Sequence, residues 1–176
     1  MDKCMTNGEE AIQRLEALHE NAYGWALACC GGDVERARDV LQDAYVKVAA
    51  GRAVFGGRSA LKTWWFGVVR LTAMESSRRQ RRWLAAIQAL RESFDSSLAW
   101  NGLPVEDEIA VCEPGVLRDA LKRLSQRQAQ VLHLVFYEGL SITEAAAVMK
   151  VGVGSARRHY ARGKQRLRRE LSASNE

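Results

Sequence analysis

The chain has 176 residues, 47% of them hydrophobic, with two prolines and a net charge of +5. That length suits one domain or two small ones, and the composition favours a mostly helical protein with real cores. No run of 18 apolar residues occurs and the first residues lack the apolar centre of a secretory signal, so membrane-spanning and exported classes are set aside and a cytoplasmic location is expected.

From Glu9 to Cys29 apolar residues recur at Ile12, Leu15, Leu18, Ala22, Trp25 and Cys29, which predicts one amphipathic helix. Gly31 and Gly32 end it. Asp33 is placed to cap a second helix with the stripe Val34, Ala37, Leu41, Ala44, Tyr45 and Val48. Gly51 closes that helix, and Phe55-Gly56-Gly57 reads as a loop tipped by an aromatic ring. Ser59 is expected to cap a third helix. It combines Leu61, Trp64, Trp65, Val68 and Val69 with Lys62, Arg70, Arg78, Arg79, Arg81 and Arg82. Rings interleaved with cations suit single-stranded nucleic acid, because bases stack while cations follow the phosphates. The plainer reading is core. Adjacent helix positions point about 100° apart, so one of Trp64 and Trp65 is expected inside.

Periodicity fades over residues 84–114, which carry Gly102, Pro104 and Pro114, and a connector is expected there after a partly helical segment from Trp83 to Trp100. Leu117, Leu121 and Leu124 then open a last module. Ser125 with Gln128 forms a capping box before the stripe Ala129, Leu132, Val135 and Phe136, which Gly139 ends. Ser141 with Glu144 forms a second box before Ala145, Ala146 and Met149. Lys150-Val151-Gly152 makes a tight turn into a basic helix from Val153, carrying Arg157, Arg158, His159, Arg162, Lys164, Arg166, Arg168 and Arg169. Two short helices around a glycine-containing turn, the second densely basic, make a helix-turn-helix pattern.

Charge is unevenly spread. Residues 1–83 carry net +3, residues 84–114 net −5 and residues 115–171 net +8. Two basic blocks around an acidic connector imply two nucleic-acid-facing modules on a tether. Cys4, Cys29, Cys30 and Cys112 fit no metal spacing and read as reduced packing residues. His19, His133 and His159 fall on separate helices without clustered carboxylates or thiols, so an enzyme is the least favoured class and no cofactor is expected.

The segment from Leu124 to Leu171 resembles region 4 of bacterial sigma-70 family initiation factors. ACCGGDVERARDVLQDAYVKV, FGGRSALKTWWFGVVR and SSRRQRR resemble their region 2. With nothing like regions 1.1 or 3, the layout is similar to the extracytoplasmic-function (ECF) group. The resemblance implies an all-α fold of two small helical domains: region 2 at 9–83, a linker at 84–115 and region 4 at 116–171. It implies that region 2 binds the β′ clamp of core RNA polymerase and melts the −10 promoter element, while region 4 reads the −35 element and sits on the β flap.

By residue, the resemblance implies −35 contacts from Ser155, Arg157, Arg158, His159 and Arg162, and −10 contacts from Phe55, Arg58, Lys62, Trp64 and Arg70. Asp39, Gln42, Asp43 and Tyr45 are the implied polymerase contacts. Arginine forks suit guanine edges, while Lys164 and Arg166, further along, suit phosphates. Two departures stand out. Leu71 replaces a frequent asparagine, which puts the −10 base preference in question. Arg36-Ala37-Arg38-Asp39 stands where the family usually carries Asp-Ala-Glu-Asp, and like charges at the clamp cost several kcal/mol. A phosphate from a Ser/Thr kinase would restore negative charge. Thr63 is the expected acceptor, with Arg36 and Arg38 around it and Ser59 and Thr72 as fallbacks. An anti-sigma protein is the family's usual partner, although nothing in this chain requires one. The competing readings are a dimeric helix-turn-helix regulator and a polymerase adaptor that never melts DNA.

Overall fold

The computed structural model describes residues 8–93, 120–121 and 123–173. Among them are seven α-helices and one π-helical turn, with no strand. The expected all-α fold is observed.

The stretch read as one helix is two, α1 (Gly8–Glu16) and α2 (His19–Cys30). Leu18 leaves helical geometry at φ −106°, and its N–H turns back to the Leu15 carbonyl at 3.0 Å. Neither Ala17 nor Leu18 disfavours helix. The break comes from packing: α1 lies on α3 (Val34–Ala49), while α2 lies on both α3 and α4 (Leu61–Ser93). Asp33 caps α3 as expected, its Oδ1 accepting from the Arg36 N–H at 2.9 Å. Ser59 does not cap α4. The Ala60 carbonyl accepts the first helical bond, from the Trp64 N–H at 3.1 Å, and the Ser59 hydroxyl reaches only that same carbonyl.

The 33 residues of α4 extend about 50 Å. Its first half is core, and beyond Ser77 its side chains are exposed through Ala86. The helix runs through Ser93, well into the segment expected as connector. The remainder of that connector, 94–115, lies outside the described residues, as do Cys4 and Cys112. Cys29 and Cys30 are buried free thiols, and burial pushes Cys30 up to about 11.

In the second half, Ser125 opens α5 (Gln126–Leu132), with its N–H bonded to Gln128 Oε1 at 3.1 Å. The helix widens into a π-helical turn at His133–Tyr137. Ser141 then opens α6 (Ile142–Met149), and its N–H and hydroxyl donate to Glu144 Oε2 at 2.9 and 2.7 Å. α7 (Val153–Ala173) follows. The left-handed residue in the turn between them is Lys150, at φ 51°, rather than Gly152.

The two halves are joined by one continuous apolar cluster. Trp25, Val40, Trp65, Phe66 and Val69 from the first half merge with Val131, Leu134, Leu140, Val148 and Met149 from the second. Trp25 ties the seam: its indole N–H donates to the Phe66 carbonyl at 2.9 Å, and its ring stacks on both Phe66 and His133. Fully burying such side chains is worth about 1.5–3 kcal/mol each, so the shared core holds the halves as one body.

Candidate nucleic-acid interface

The basic helix α7 packs through Ala156 and Gly163, which are buried, and through the half-buried Tyr160 and Leu167. A Cβ at Gly163 would lie 3.1 Å from Leu132 Cδ1 and 3.3 Å from Gln128 Cβ, so this glycine lets α7 sit directly on α5. The opposite side faces solvent. Arg157, Arg158 and Arg162 are exposed, and Ser155 and His159 are half-buried. At about 100° per residue, Ser155, Arg158 and Arg162 fall within one arc and His159 borders it, whereas Arg157 stands on the far flank. Burial and the charges of Arg127, Arg162 and Arg158 hold His159 below the ordinary histidine value. Arg127, on α5, is thus part of the same positive field, and the sequence reading missed it. Lys164 lies over the Tyr160 ring at 4.6 Å, and Arg166 leans on Glu170.

The expected −10 residues are only partly available. Arg58 is exposed in the loop before α4 and Trp64 is half-buried. Phe55, expected at the loop tip, is instead 3% exposed and lies under Trp64 with ring centroids 5.4 Å apart. Gly57, at φ 67°, lets the chain turn just after this buried ring. As it stands the ring cannot stack on a base. Of the tryptophan pair, Trp65 is fully buried and takes the core role.

Lys62 and Arg70 are both engaged by the second half. Lys62 Nζ pairs with Glu138 Oε2 at 2.8 Å and donates to the Glu138 carbonyl at 2.9 Å. Arg70 is buried, and its Nε donates to Gln130 Oε1 at 3.4 Å. The Glu138 side chain is 0% exposed and also accepts from Asn21 Nδ2 at 3.0 Å. Its other oxygen lies 3.4 Å from His133 Nε2 without the alignment of a hydrogen bond. Burial holds His133 below the ordinary imidazole value, against the pull of Glu138. Glu138, His133, Gln130 and Asn21 were not foreseen. One signal was present: Glu138 is the only acid between Asp119 and Glu144.

On α3, Asp39 and Gln42 are exposed and Asp43 and Tyr45 half-buried, beside an open groove lined by His19, Tyr23, Arg38, Leu41 and Val46. Tyr45 stacks on His19 and packs against Trp65. Asp43 faces Arg79 at 3.7 Å. The expected cluster around Thr63 does not form. Arg36 turns onto the Ser77 hydroxyl, fourteen positions and so roughly 21 Å along α4 from Thr63. Arg38 is exposed and pairs with Glu35 at 2.6 Å. Thr63 itself is 5% exposed, its hydroxyl without a partner, and Thr72 is buried as well. Of the three candidate acceptors only Ser59 is exposed.

The family model described as Sigma-70, region 4 matches residues 115–167. The ECF RNA polymerase sigma factor SigX of Bacillus subtilis is 28% identical over 96% of this chain and 87% of its own. The ECF sigma factor EcfG of Rhodopseudomonas palustris is 29% identical over 77% of this chain and 71% of its own. The sigma factor RpoE of Bartonella quintana, solved in complex with the anti-sigma factor NepR, shares the fold with a TM-score of 0.69. It is 23% identical, and the match covers 93% of this chain and 98% of that one. With a region-4 match on the helix-turn-helix and sigma-factor relatives along nearly the whole length, the chain is similar to extracytoplasmic-function sigma factors of the sigma-70 family.

Proposed function

We propose that this chain binds core RNA polymerase through the α3 face around Asp39, Gln42, Asp43 and Tyr45, reads a −35 element with α7, and opens a −10 element with α4 and the loop before it. The observation that carries the reading is the presence, on one chain, of a helix-turn-helix with Arg158 and Arg162 exposed on its second helix and a separate basic-aromatic helix bearing Lys62, Trp64 and Arg70. A dimeric repressor has use for the first and none for the second. Such a factor catalyses no covalent step; its binding energy offsets the cost of unstacking a base, a few kcal/mol. Co-elution with core polymerase separates the readings, since a repressor binds duplex DNA and leaves core enzyme alone.

The arginines of α3 bear on how tightly core is bound. Arg36 is drawn onto α4, which leaves Arg38 as the charge facing a partner beside Asp39. Arg38→Glu should strengthen co-elution with core, and an unchanged or weaker complex would remove the charge-mismatch argument. Control by phosphorylation belongs to the same proposal in altered form. Thr63 lies on the flank of α4 that carries Lys62, Phe66 and Arg70, and it is buried. A phosphate there would carry roughly −1.5 to −2 charge into a seam that already holds Glu138. It would act by driving the halves apart, not by bridging Arg36 and Arg38. An anti-sigma protein, a partner of the RpoE neighbour, is compatible with this reading and not required by it.

A further inference from the structure

The exposed arc of α7 continues onto a second helix. At about 100° per residue, His159 falls between Arg162 on that arc and Gly163, where α7 rests on α5. The crossing presses Gln128 against α7, and Arg127, the residue before it, is exposed. Burial, and then the charges of Arg127, Arg162 and Arg158, hold the His159 imidazole below the ordinary histidine value. α6 also packs on α7 but offers no countercharge: its one charged side chain is Glu144, which is bonded to Ser141. Among the described residues, none of Arg127, Arg158, Arg162 and His159 pairs with a carboxylate. Nearby, Arg123 and Arg166 both reach Glu170, at 2.6 and 3.8 Å. The acid of this unit is therefore spent at the far end of α7, and the cations beside its first turns are left together. Like charges so gathered repel, and an anion placed among them removes the repulsion.

We propose that Arg127 on α5, together with His159 and Arg162 on α7, clamps one backbone phosphate at the edge of the −35 duplex, and that His159 takes up a proton as the phosphate seats. The proposal rests on the −35 reading above and deepens it. It adds a contact from a helix outside the helix-turn-helix, and it names the chemistry met there, a phosphate oxygen rather than a base edge. When a helix lies in the major groove, its centre faces the bases and its flanks face the two strands' backbones. Arg127 and His159 stand on such a flank, while Ser155 and Arg158 stay on the arc. In the free protein the surrounding cations favour neutral imidazole. A phosphate reverses the sign of those surroundings and favours imidazolium, which donates to the phosphate oxygen beside the guanidinium groups. The proton comes from solvent, so binding tightens as pH falls.

The test uses the full chain with core polymerase on duplex templates that it transcribes. Along the −35 element, one backbone phosphate at a time is replaced by an uncharged methylphosphonate. Arg127→Ala, at an exposed position, should leave Tm unchanged and weaken binding alike on templates of different −35 sequence. It should also lower the slope of log affinity against log salt by about one. Arg127→Lys should restore most of the affinity, since a point charge still meets a phosphate. One methylphosphonate position should cost the unaltered chain about tenfold in affinity and cost the Arg127→Ala chain little. From about pH 8 to about pH 6 the unaltered chain should gain affinity several-fold, a gain that His159→Gln loses and that the same methylphosphonate removes. Unchanged affinity in Arg127→Ala, a loss tied to no single phosphate, or a pH response that His159→Gln keeps in full would overturn the clamp while leaving promoter-specific transcription intact. Absence of transcript from every template would overturn the sigma reading and the clamp with it.

Discussion

Gly163 decides how closely the basic helix α7 sits on the helix beneath it. Alanine would gain about 1 kcal/mol of helix propensity. Its methyl would press on Leu132 and Gln128 at 3.1–3.3 Å, and Leu132 is itself buried. Overpacking of that kind costs about 1–3 kcal/mol, so Gly163→Ala should lower Tm by several degrees in a thermal melt, where a free helix position would raise it. Arg158 makes the opposite case, a residue with little to hold in the fold: it is exposed and reaches only Ser155 Oγ, at 3.4 Å. Arg158→Ala should leave Tm unchanged and weaken promoter duplex binding. If Arg158 reads a base, the loss is about 1–3 kcal/mol at one position; if it meets phosphate, the salt slope falls by about one. At this scale the exposed arginines of α7 were legible, because a charge run on an amphipathic helix has one place to go. Phe55 and Thr63 were not. Both looked accessible in sequence, yet Phe55 lies under Trp64 of the helix that follows it and Thr63 is buried within the fold.

Local chemistry announced several of the elements. The caps at Asp33, Ser125 and Ser141 stand where spacing put them, because each is a contact between residues three apart. The Ser141 box opens the helix that packs against α4 and leads into α7, and its hydrogen bonds hold Glu144 below the ordinary glutamate value. Ser141→Ala should cost about 1 kcal/mol, visible in denaturant unfolding as a lower midpoint at unchanged slope. An unchanged midpoint would mean that tertiary packing alone fixes α6. What spacing did not reveal follows from tertiary contact. The break at Leu18 lies between two residues that tolerate helix, and the π-helical turn at His133–Tyr137 carries no glycine or proline. That turn aims His133 into the seam, a geometry set by Trp25 across it.

At the scale of the whole molecule, the all-helical class was readable from periodicity and caps. The continuous core through both halves was not, since it depends on Trp25, Lys62 and Glu138 meeting across long sequence separations. The seam is also where pH should act. His133 faces Glu138 from its own half and Lys62 from α4, and burial outweighs Glu138 to keep its pKa below the ordinary 6.5. The opened or unfolded chain therefore binds the proton more readily. The stability that His133 contributes is full above about pH 6.5 and is lost as pH falls from there toward the lowered value. A melt at pH 5.5 against 7.5 should show a loss of Tm that His133→Phe diminishes, and an equal loss in that variant would assign the effect to other groups.

The central claim is that this chain turns core RNA polymerase into a promoter-specific enzyme. Run-off transcription with purified core from a library of duplex templates tests it most directly. The account predicts transcripts only when the chain is present, from templates sharing two short elements, and fewer of them when Trp64 or Arg158 is replaced by alanine. Binding to the same templates with no transcript at any concentration of core would contradict it and leave a helix-turn-helix regulator in its place.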